Sequence, residues 1–151
     1  MAQIAGAYFR DANGVPIIND GIIVSKSITY AAATTGAIAA SVLFTVTGDV
    51  IVNVFAVCSV SLDSGGASTI EVGITSNTAS LIALTTATTI DAGHVWLDAT
   101  PGTVQPLPTA NILTNGTDVS QKITDATITA GALTYYCAWR PLSSDGNVVA
   151  A

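Results

Sequence analysis

From Val50 to Leu62 every second residue is apolar: Val50, Val52, Val54, Ala56, Cys58, Val60 and Leu62. A repeat of two places side chains on one face of an extended strand, whereas a helix would scatter them around its circumference. The intervening positions are not uniformly polar, because Ile51, Phe55 and Val57 lie among them. A strand apolar on both faces is central in a sandwich or has one face at a subunit contact.

The rest of the chain repeats this pattern in shorter pieces. Val42, Phe44 and Val46 alternate with Leu43, Thr45 and Thr47 just before Gly48-Asp49, so the sequence predicts a hairpin with a two-residue turn there. Thr69 to Thr75 predicts a half-exposed strand, with Ile70, Val72 and Ile74 inward and Glu71 outward. Leu81–Leu84 and Thr86–Ile90 are weaker strand candidates, and His94–Leu97 follows the Asp91-Ala92-Gly93 turn. Asn115-Gly116, between 112–114 and 119–124, predicts a second hairpin. Leu133, Tyr135, Cys137 and Trp139 alternate with Thr134, Tyr136, Ala138 and Arg140, and Pro141 ends that strand. Prolines at 101, 106 and 108 mark a stiff surface loop between Asp98 and Asn111, and 31–40 reads as a loop despite its alanines. Eight to ten short strands at regular spacing predict an all-β antiparallel sandwich or jelly roll. The expected division is 1–24 as an N-terminal arm or terminal hairpin, 25–142 as the sandwich and 143–151 as a C-terminal tail.

Composition agrees and excludes several functions. Thr occurs 21 times, Glu once and Lys twice, a balance that favours pleated structure over helix. Lys, Arg, Asp and Glu together are 9% of residues, and the net charge is −6. Four scattered cations, Arg10, Lys26, Lys122 and Arg140, make no phosphate-binding patch, so no nucleic-acid partner is expected. No run is long and apolar enough for a membrane-spanning helix, and 1–14 has neither the basic nor the apolar region of a secretory signal. Synthesis in the cytoplasm is the expectation. There the isolated Cys58 and Cys137 are expected as buried thiols, with a disulfide between neighbouring strands as the minor alternative. A compact domain of this size exposes roughly 7,000 Å², so its charges are spread at about one per 500 Å². A surface so sparsely charged is expected to be covered by other protein.

Catalytic chemistry finds little support. The single histidine, His94, has no nucleophile motif to serve, and Asp91, His94 and Asp98 lack the spacing of a metal site. Neither Asp11-Asn13 nor Asp91-Asp98 matches a known calcium loop. No enzyme activity and no cofactor are expected. Asn115-Gly116-Thr117 satisfies the glycosylation sequon, but its turn role is preferred. Tyr135 and Trp139 share a face with Leu133 and Cys137 and read as core, whereas Tyr136 and Arg140 point the other way. Candidate contact residues are therefore Ile4, Tyr8, Phe9, Ile17, Ile18, Tyr136 and Arg140. The alternative is a carbohydrate- or receptor-binding module, using Trp96, Tyr136 and the 101–108 loop.

Three segments, LFTVTGDVIVNVFAVC at 43–58, TIEVGITSNTASLIALTTATTIDAGHVW at 69–96 and ITAGALTYYCAWRPLSSDGNVV at 128–149, together resemble small β-rich virion proteins of tailed bacteriophages. The resemblance lies in strand pattern and in the closing Trp-Arg-Pro-Leu-Ser turn. It implies a capsid decoration or cement protein on the outside of the shell, a homo-oligomer, often a trimer, whose other partner is the major capsid protein; the carbohydrate- or receptor-binding alternative would then be a tail, neck or fibre module.

Overall fold

A computed structural model describes residues 22–151. Ten strands form two antiparallel sheets packed face to face, so the chain is an all-β sandwich. The first sheet runs β1 (Ile22–Thr29), β9 (Ile128–Pro141), β3 (Val50–Ser64) and β6 (Val95–Trp96), and β7 (Asn111–Leu113) also pairs with β3. The second runs β10 (Asn147–Ala150), β2 (Ala40–Thr47), β8 (Val119–Thr124), β4 (Thr69–Ile74) and β5 (Asn77–Thr86). A single 3-10 turn, Ala87–Thr89, follows β5.

The period-two run is the spine of this architecture. Val50, Val52, Val54, Ala56 and Cys58 are buried, opposite Leu133, Cys137 and Trp139 on β9. From the second sheet Phe44, Val46, Ile70, Val72, Ile82, Val119 and Ile123 close the same core. β3 is paired on both sides, as its two apolar faces foretold, and β4 is enclosed between β8 and β5. That central place buries Glu71, expected to be exposed, beside its registered partner Lys122 at 3.9 Å.

The two expected hairpins are not hairpins. β2 and β3 lie in different sheets, and so do β7 and β8, so both tight turns carry the chain across the sandwich. The Gly48-Asp49 turn is held by other loops instead of by a ladder. Gly48 N–H donates to Asn115 Oδ1 at 3.1 Å and Asp49 N–H to Ser143 Oγ at 2.8 Å, while Leu142 N–H donates to the Asp49 carbonyl at 2.8 Å. The tight hairpin of the described chain is β4–β5, where Ile74 pairs with Asn77 around a turn that lacks the usual glycine or asparagine. Leu81–Thr86 belongs to that one strand, and 87–89 is helical.

The strand ladder also redraws the segment boundaries. Residues 22–24 belong to β1, registered with Trp139, Ala138 and Cys137, and the segment expected as a tail contributes β10 against β2. Cys58 and Cys137 are buried free thiols. Their register partners on the opposite strands, Leu133 and Val54, place them four residues apart along the β3–β9 ladder. That is about 13 Å, too far for a disulfide.

Candidate interaction face

The two sheets turn different chemistry outward. On the second sheet the outer positions are Thr45, Thr47, Thr69, Thr124 and Ser120, with the Glu71–Lys122 pair among them. Its exposed aliphatics, Val42, Leu84 and Val149, lie on β2, β5 and β10, toward the edges.

The first sheet carries more apolar side chains on its outside, mixed with hydroxyls and one amide. Register aligns its outward side chains in rows across the strands: Ile112, Ile51 and Arg140; then Asn53, Ala138 and Ile23; then Phe55, Tyr136 and Ser25; then Val57, Thr134 and Ser27. Phe55 and Tyr136 stack with ring centroids 5.2 Å apart and planes 17° from parallel. Ser27 and Thr134 hydroxyls meet at 2.9 Å. Ile23 is 62% exposed and Ile112 67%. Beyond a bulge after Cys58, Val60 registers with Ala132 and Asp63 with Ala130. Charges therefore occur at the two ends of the face, Arg140 at one and Asp63 at the other, with none in the rows between. Among the described residues Arg140 makes no ion pair.

The proline-rich loop adds relief. Asn53 Nδ2 donates to the Pro108 carbonyl at 2.7 Å, which draws Leu107 and Pro108 up beside the face. With Ile23, Phe55 and Ala138 they enclose a cleft of about 270 Å³, and Leu107 itself is 88% exposed.

The predicted residues fall out as follows. Tyr136 and Arg140 lie on this outer face, on the side opposite Tyr135 and Trp139, as the alternation required. Ile4, Tyr8, Phe9, Ile17 and Ile18 lie outside the described residues. Trp96 is a correction: it is fully buried, its indole N–H donates to Thr85 Oγ1 at 2.8 Å, and its ring meets Tyr135 edge-on. From there it cannot stack on a ligand. A two-residue strand has no alternation from which to read its inward side. Ile23 and Asn53 were absent from the candidates, whereas Leu107 and Pro108 belong to the 101–108 loop named for the alternative reading. The signal for Phe55 was present in the apolar second face of β3, but nothing local tells that a loop fifty residues away will adjoin it.

Other chemistry is spent locally. Asp91 N–H donates to His94 Nδ1 at 3.3 Å, and Asp98 Oδ1 accepts from both the amide and hydroxyl of Thr100. Among the described residues no three His, Cys, Asp or Glu side chains are grouped to hold a metal ion, and no helix is long and apolar enough to cross a membrane. Comparison with protein-family models, curated proteins and solved structures finds no match to this chain.

Proposed function

We propose that this is a structural virion protein, a decoration or cement protein that binds the outside of a capsid shell and reinforces contacts between capsomers. The observation that supports it is the outer face of the first sheet, apolar along its middle and free of charge except at its ends. Burying apolar area contributes about 25 cal/mol per Å² before the costs of association. Modest single contacts then add up when repeated over many copies on one particle. The net charge of −6 suits the exterior of a shell, away from packaged nucleic acid. Partners in this reading are the major capsid protein and further copies of the chain. The glycan-binding alternative has lost Trp96 to the core and keeps Tyr136, stacked on Phe55, with the Leu107–Pro108 part of the loop beside it.

Co-sedimentation with purified shells lacking the protein tests the proposal. Wild-type protein should pellet with shells, Val57→Lys on the apolar face should lose most of that binding, and Thr45→Lys on the other sheet should retain it. Absence of shell binding, or binding to a glycan array through Tyr136, would overturn the decoration reading.

A further inference from the structure

The geometry of the apolar face points to a second copy of the chain as its occupant, paired about a two-fold axis near Val57, with Arg140 of each copy against Asp63 of the other. This rests on the reading of the face as an interaction surface and gives that face to the second copy, so that shell binding depends on Val57 through the pair and not through direct contact.

Three observations carry it. The first is the placement of charge. Arg140 registers with Ile51 at one end of β3, and Asp63 lies toward the other end, registered with Ala130. The two ends are about 33 Å apart, ten residues along β9 at about 3.3 Å each, and Val57 lies near the middle. Two copies stacked in the same direction would set arginine on arginine and aspartate on aspartate. A half-turn about an axis through the midpoint sets opposite charges together at both ends, the self-complementary arrangement of a two-fold interface. Asp63 Oδ1 accepts its own turn's Ser64 N–H at 2.8 Å, and the carboxylate keeps acceptor capacity for a guanidinium.

The second is the overall charge. Copies carrying −6 each repel one another, and the rows between Arg140 and Asp63 are where two can meet without bringing acidic groups together. The third is area and shape. Four strands at about 4.8 Å spacing, over about ten residues, make a plane of about 500–600 Å². Side-chain relief raises its accessible area toward the roughly 800 Å² per partner of an ordinary interface. The ridge of Leu107 and Pro108 stands at the β3 side of the face, beside Asn53. The half-turn that sets Arg140 against Asp63 keeps the partner's ridge on the β3 side but moves it toward the Asp63 end of the strands, so the two ridges clear one another.

Sedimentation equilibrium and light scattering on the full chain test this, with circular dichroism melting to confirm that each variant folds. Wild type should be a dimer. Arg140→Glu and Asp63→Lys should each raise the dimer dissociation constant about tenfold or more, since each turns two attractions into repulsions. The combined variant should return to within about threefold of wild type. A trimer, or a combined variant no tighter than either single one, would overturn the two-fold pairing. So would a monomer up to about 100 µM. If such a monomer still pelleted with shells in a Val57-dependent way, the face would belong to the shell protein and the functional reading would stand. Loss of shell binding with the dimer intact would strike the functional reading and leave the pairing.

Discussion

Tyr30, Tyr135 and Gln121 join the two sheets inside the core. Both phenol oxygens lie 2.7 Å from Gln121 Oε1 and 2.8 Å from each other. Two hydroxyl protons serve three contacts, so one phenol donates to the amide oxygen and the second donates to either neighbour. Burial, above all, pushes both phenols above their usual value of 10. It also raises the Cys58 thiol, and lifts Cys137 from 9 to about 12. Each group is held neutral in the fold more strongly than in the unfolded chain. A raised folded value gives stability that is fully present below the unfolded value and lost as pH rises toward the folded one. The thermal midpoint should therefore fall as pH is raised from about 9 to 12, with the phenolate absorbance of Tyr30 and Tyr135 appearing only as the protein unfolds. A midpoint indifferent to pH across that window would show that these groups are not enclosed. The inward side of Tyr135 and Trp139 was legible from their alternation with Leu133 and Cys137. The partnership of Tyr135 with Tyr30 and Gln121 was not, since those residues come from three separate strands and loops.

At the scale of elements, turn chemistry was readable and strand partnership was not. Gly48 does sit at a turn and has φ of 63°, where a side chain is strained. The turn nonetheless joins strands in opposite sheets, because β3 is occupied on both sides by β9, β6 and β7. Added bulk at Gly48 would meet Ser143 Oγ at 2.5 Å, Asp145 Oδ1 at 2.6 Å and the Gly146 nitrogen at 2.7 Å. Gly116, with φ of 75°, has open space around it. Gly48→Ala should thus cost about 2 kcal/mol or more in urea denaturation, and Gly116→Ala about 1 kcal/mol, the backbone strain alone. Equal losses would mean that the loop contacts around Gly48 contribute nothing. The same limit hid the true β4–β5 hairpin, whose turn residues, Thr75 and Ser76, are unremarkable.

At the scale of the molecule, seven of the nine strand connections among the described residues change sheet, so nearly every sheet pairing joins segments distant along the chain. Closing such loops before contacts form makes folding slow. Stopped-flow refolding should occupy about milliseconds to seconds or longer, and a refolding time in microseconds would contradict this topology. Alternation along single segments was enough to establish that the chain is built of strands, which side of the longest ones is core, and that Tyr136 and Arg140 face away from it. Which strands pair, that Trp96 is enclosed, and that one sheet's exterior is free of charge between Arg140 and Asp63 while the other's is hydroxyl-rich came from the folded arrangement. Those properties belong to rows of residues running across strands, and the register that builds such rows is set by packing between segments far apart in the chain.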